Sequence, residues 1–120
     1  MFDHVMLKVK DLDASKRFYT AALAPLGLSV QYEGDGVVGL GPKGAPGLWL
    51  SEGKSGGAVH VAFAAKTRDA VKAFYAAAIP AGGKDNGKPG LRPDYGSNYY
   101  GGFVKDPDGN NIEAVCHKEE

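Results

Sequence analysis

The sequence predicts an α+β fold of two tandem βαβββ modules, each a four-stranded sheet with one helix on its outer face. Three observations carry that expectation: an internal repeat, a switch of apolar period within each copy, and a turn-rich stretch after each helix. Residues 4–27 align with residues 60–83 at a constant offset of 56 without a gap, and 11 of 24 positions are identical. The identities include His4/His60, Val5/Val61, Phe18/Phe74, Tyr19/Tyr75 and Gly27/Gly83. Two copies are too few for a solenoid and fit a duplicated supersecondary unit with a pseudo-two-fold axis.

Each copy opens as a strand, with alternating apolar residues at Val5, Leu7, Val9 and at Val61, Phe63, Ala65. Helix starts follow, at Asp11 or Asp13 in the first copy and at Thr67 in the second. Phe18, Tyr19, Ala22, Leu23 and Leu26 then form one helical face, as do Val71, Phe74, Tyr75, Ala78 and Ile79. Pro25 and Pro80 stop the helices, and glycines follow. Strands are expected near 28–33, 36–41 and 47–52 in the first copy, and near 99–105 and 111–117 in the second. Asp106-Pro107-Asp108-Gly109 is a strong turn, and residues 84–98 read as a loop hiding one short strand. The chain of 120 residues is therefore one domain: module 1 at about 1–52, a linker at 53–57 and module 2 at about 58–117.

Composition removes several functional classes. With 43% apolar and 10% aromatic residues the chain can build a core, so disorder is not expected. Fourteen basic residues balance fourteen acidic ones, which gives no electrostatic reason to expect nucleic acid or an anionic membrane. No apolar run approaches the roughly 20 residues of a membrane span. The opening segment reads as a strand and not as a signal peptide. A single cysteine, Cys116, excludes an internal disulfide and suits a reducing cytoplasm. Eighteen glycines mark a turn-rich chain.

Strand parity assigns chemistry to faces. If Val5, Leu7 and Val9 pack under the helix, His4, Met6 and Lys8 face the other way. His60, Ala62 and Ala64 do the same in the second copy. On the last strand, Ile112, Ala114 and Cys116 suit the helix side, leaving Glu113 on the open side. Two equivalent histidines and one carboxylate make a 2-His-1-carboxylate set, able to hold one divalent metal with positions left for substrate. His4, His60 and Glu113 are the candidate metal ligands, and Glu113 is also the candidate general base.

Other features read more simply. Gly34-Asp35-Gly36-Val37-Val38-Gly39 spells a dinucleotide fingerprint but runs into Leu40-Gly41-Pro42, which cannot open a helix. Those glycines belong to a hairpin. Cys116 reads as core, and His117 as rim or solvent. Met6 shares the open side, and Trp49 has the parity of Glu113, so both are candidate pocket wall. Arg92, Tyr95, Asn98, Tyr99 and Tyr100 lie in or beside the longest loop, where an Arg among tyrosines could orient an anionic substrate, with Arg92, Tyr95 and Tyr100 the candidates for substrate contact. The same tyrosines could equally patch the sheet edge.

The stretches His4–Leu12 with Phe18-Tyr19, His60–Phe63, and Phe103–Glu113 with its Asp-Pro-Asp-Gly turn together resemble the vicinal oxygen chelate superfamily. This is the glyoxalase/bleomycin resistance protein/dioxygenase family, and the resemblance covers nearly the whole chain. It implies paired βαβββ modules around a curved-sheet cavity. It also implies one divalent ion, Zn, Ni, Mn or Fe, on His4, His60 and Glu113, serving a small substrate with vicinal oxygens by Lewis-acid chemistry. Lyase-, isomerase- and ring-cleaving-type reactions all fall within that description. The fourth ligand position of glyoxalase I-like members falls on Trp49, which cannot ligate. The alternative is a metal-free binding or sequestration protein of the bleomycin-resistance type. Open sheets leave edges and faces that a second copy would cover, so a homodimer is expected.

Overall fold

The structure is a computed structural model that describes residues 1–119. The first half holds β1 (Val5–Val9), α1 (Leu12–Leu23), a 3-10 turn at Ala24–Leu26, β2 (Ser29–Gly34), β3 (Val37–Gly41) and β4 (Leu48–Glu52). The second holds β5 (His60–Ala64), α2 (Arg68–Ala78), β6 (Lys84–Leu91), β7 (Tyr100–Lys105) and β8 (Asn111–Cys116). The sheets have equivalent strand orders, β1-β4-β3-β2 and β5-β8-β7-β6, each with one parallel pair. This is the expected duplication of βαβββ units.

Local chemistry explains the boundaries. The Asp11 carboxylate accepts from Ala14 N at 3.1 Å and the Thr67 hydroxyl from Ala70 N at 3.0 Å, capping the two helices. Each cap contributes about 1 kcal/mol. Between β2 and β3, Asp35 (φ 55) and Gly36 (φ 77) make a two-residue hairpin turn with both residues left-handed, so the Gly-rich run there turns the chain and opens no helix. The stretch 84–91, expected to be mostly loop, is an eight-residue edge strand with register shifts at Gly87 and before Gly90. Its glycines and Pro89 hide the strand pattern, and an edge position tolerates them because one side of the strand needs no partner.

The modules meet along their helices, a departure from the expected outer placement. α1 and the turn after it pack on α2. The helix-side residues of both sheets join them in one core, including Leu7, Val9, Leu50, Ile112 and Ala114 around Phe18, Tyr19, Val71 and Phe74. Cys116, 1% exposed, belongs to that core on the helix side of β8, as expected. The Asp106–Gly109 turn of the second module docks on α1. Asp106 is buried and accepts from Tyr19 Oη at 2.5 Å, Asp108 N at 2.9 Å, Asn110 N at 2.8 Å and Asn110 Nδ2 at 3.0 Å. Burial, reinforced by the Asp106 charge, pushes the Tyr19 phenol far above its usual range, so it stays a donor. Because the helix sides face inward, the open faces of the two sheets are turned outward.

Candidate functional site

Residues paired across neighbouring strands share a sheet face. In the second module one row runs Ala62, Glu113, Phe103, Gly87 from β5 to β6. The equivalent row of the first module runs Met6, Trp49, Gly39, Tyr32. Trp49 therefore occupies the place of Glu113, as the aligned strands anticipated.

Glu113 is the chemical centre of the second row. It is 1% exposed, yet it lies on the open face and not in the helix-packed layer. His60 Nε2 donates to its Oε1 at 2.8 Å, and Tyr99 Oη donates to its Oε2. The His60 side chain is 54% exposed, so the pair is a buried carboxylate reached from solvent through an imidazole. Burial first, and then the hydrogen bond to and charge of Glu113, push the Tyr99 phenol up to about 12. Tyr99 is thus a proton donor at neutral pH. The exposed ring of His117 stands edge-on to Tyr99 with centroids 5.2 Å apart, at the rim.

The loop 92–99 brings Tyr99 to this position, its ends joined by Arg92 N donating to Tyr99 O at 2.8 Å. The Arg92 guanidinium lies over Phe103, 5.3 Å from the ring centroid, and Tyr95 stacks edge-on against Tyr99 at 5.2 Å. Arg92 and Tyr95 therefore belong to the open face. Tyr100 does not. It pairs with Cys116 on the helix side of β7 and lies under Arg68 and Lys72 of α2. Tyr99, its neighbour, is the tyrosine that reaches Glu113. Counting back along β7 from the tight Asp106–Asn110 turn sets Tyr100 opposite Cys116, a signal legible in the sequence.

The metal set is brought together in part. His4 precedes β1, is exposed, and its Nδ1 contacts Asp3 Oδ1 at 2.6 Å. Among the described residues no group of three His, Cys, Asp or Glu side chains is placed to hold a metal ion. Of the three expected ligands only His60 and Glu113 come together, Nε2 and Oε1 standing 2.8 Å apart, and an imidazole nitrogen and a carboxylate oxygen are donor types that a divalent metal takes. Trp49 and Met6 adjoin each other on the first module's open face and do not line a cavity with Glu113 of the same chain. The physical reason is the helix-to-helix packing, which separates the two open faces.

A family model of the glyoxalase/bleomycin resistance protein/dioxygenase superfamily matches residues 1–114. The chain belongs to that superfamily. Among solved structures similar to this superfamily member is a glyoxalase/bleomycin resistance protein from Albidiferax ferrireducens, 32% identical, covering 97% of this chain and 98% of its own, with a TM-score of 0.86. A glyoxalase I mutant from Zea mays is 25% identical with a TM-score of 0.72, covering 97% of this chain and 46% of the maize chain. A superfamily enzyme from Burkholderia phytofirmans, 18% identical with a TM-score of 0.74 and covering 97% and 98%, shares the fold. No match is found among curated proteins. No helix is long and apolar enough to cross a membrane among the described residues.

Proposed function

We propose that this chain is a metal-dependent enzyme acting on a small substrate with vicinal oxygens, by lyase-, isomerase- or ring-cleaving-type chemistry. The observation that carries the reading is Glu113: a nearly fully buried carboxylate on an otherwise open sheet face, bonded to a half-exposed histidine. His60 and Tyr99 offset the cost of burying that charge, and the half-exposed imidazole keeps the pair within reach of a ligand from solvent. His60 and Glu113 hold the ion in this reading, and His4 of a second copy supplies the third donor. The two modules, at about 1–52 and 58–117, then each contribute one open face to a shared site in a homodimer. The apolar first-module face, with Met6 and Tyr32 each more than 40% exposed beside Trp49, is the surface such a copy would cover. A reducing cytoplasm is the setting that fits Cys116.

A bound ion would supply Lewis-acid chemistry, drawing electron density through the substrate's oxygens. The chain's own residues do the rest. Tyr99 holds Glu113 Oε2, which leaves Oε1 directed at His60 and at the open face. Glu113 would hold the ion through Oε1, and would serve as general base at that oxygen only when it loosens from the ion. His60 would ligate through Nε2 as the neutral imidazole, with its ring proton on Nδ1. Trp49, Met6, Arg92 and Tyr95 contact substrate, and the donor set is compatible with Zn, Ni, Mn or Fe.

Metal analysis of protein purified without chelator tests this, with His60→Ala and His4→Ala as controls and light scattering for the assembly. Stoichiometric metal in a dimer, lost in both variants, is the expected result. A concentration-independent monomer without metal would instead favour a second reading, metal-free binding of a small ligand. The observation behind that alternative is Trp49, an indole in the place where the second module carries its carboxylate.

A further inference from the structure

The second module's open face carries a hollow of about 260 Å³ beside the His60–Glu113 pair, lined by Asn86, Gly87, Arg92, Tyr95, Phe103 and Asn111. Its polar lining is neutral apart from one cation, Arg92. The guanidinium is fixed in place: Nη2 donates to Lys88 O at 2.6 Å, Nη1 to Leu91 O at 3.4 Å, and the plane rests over Phe103. Those carbonyls occupy two of the five N–H donors of an arginine. Among the described residues no carboxylate lies within ion-pair distance of Arg92. A half-buried arginine, anchored by carbonyls and an aromatic ring but lacking an anion, is prepared to take one. Asn86 Nδ2 donates to Asn111 Oδ1 at 3.1 Å, which fixes the opposite wall with an amide pair that adds no negative charge.

Phe103 stands between this cation and the candidate reaction centre, since its ring centroid is 6.4 Å from that of His60. We infer that the substrate is a small carboxylic acid whose carboxylate is bound by Arg92, with its reacting oxygens at the opposite end beside His60 and Glu113. Arg92 is a binding residue in this scheme and takes no part in proton transfer. The assignment of the reacting end rests on the function proposed above; the anion site itself does not.

Nuclear magnetic resonance titration of the full chain with benzoate and with benzamide separates the two. Benzoate should shift the amide signals of Gly87 and Phe103 and bind about tenfold more tightly than its uncharged isostere, the equivalent of about 1.4 kcal/mol. Arg92→Gln should bring benzoate down to the level of benzamide, and Arg92→Lys should give an intermediate affinity. Equal binding of benzoate and benzamide to the unaltered chain would overturn the inference, whatever the variants do. So would benzoate binding that survives Arg92→Gln in a folded protein. If His60→Ala retains the metal content of the parent chain, the proposed reaction centre fails while the anion site stands.

Discussion

The two open faces have the same backbone and opposite chemistry. Along equivalent rows the first module presents Met6, Trp49, Gly39 and Tyr32, and the second Ala62, Glu113, Phe103 and Gly87. Each row sets one large ring against a neighbouring glycine, displaced by one strand between the modules. In the first, Trp49 of β4 lies on Gly39 of β3, where an added Cβ would sit 2.8 Å from the indole. In the second, Phe103 of β7 lies beside Gly87 of β6, where a Cβ would sit 3.0 Å from the ring. Moving the aromatic one strand outward frees the β8 position for a carboxylate, and the small Ala62 leaves it accessible to His60. A duplicated unit thereby presents one apolar face and one face with a buried carboxylate.

The turn between the last two strands differs as sharply between the modules, and cutting its contacts should have the largest effect. Asp106→Ala strips four hydrogen bonds from a buried carboxylate that ties the second module to Tyr19 of the first. Unfolding in denaturant should show a loss of about 3 kcal/mol. A change close to zero would mean that the helices alone join the modules. Next in size, Gly39→Val should cost about 2 kcal/mol by overpacking against Trp49. In a Trp49→Ala background that penalty should largely disappear, a coupling a double-mutant cycle measures directly. If the two changes simply add, the indole does not rest on Gly39 in solution.

The smallest effect concerns the second module's open face. The Tyr99 phenol, held up to about 12, should absorb as phenolate well above the ordinary value of about 10. Glu113→Gln removes the charge but not the burial, so the titration should move only part of the way back. Because the folded-state value is raised, the associated stability is complete below pH 10 and is lost as the pH rises through about 12. An unshifted phenol in the parent chain would detach Tyr99 from Glu113.

The duplication, both helix caps and the open-face position of Glu113 were legible because each depends on local pattern. Val5, Leu7 and Val9 reveal their period, and Asp11 and Thr67 are capping residues just ahead of helical runs. β6 was hidden because Gly87, Pro89 and Gly90 carry turn chemistry into an edge strand. Tyr99 was obscured by Tyr100, since adjacent aromatics on opposite faces are told apart only by register. The separation of His4 from His60 and Glu113 lies beyond local pattern altogether. It follows from which faces of the two modules pack together, and a duplicated amphipathic unit has two ways to do that.

The lone thiol of Cys116 gives this architecture a clock. Sealed in the shared core opposite Tyr100, it is out of reach of any reagent in the closed state. Lys118 N donates to its sulfur at 3.4 Å, so its reaction with an aromatic disulfide proceeds through openings of the β8 end or of the core around it, and the labelling rate reports the population of those openings. One colorimetric trace on the unaltered chain would then show how often the end of the strand that carries Glu113 opens.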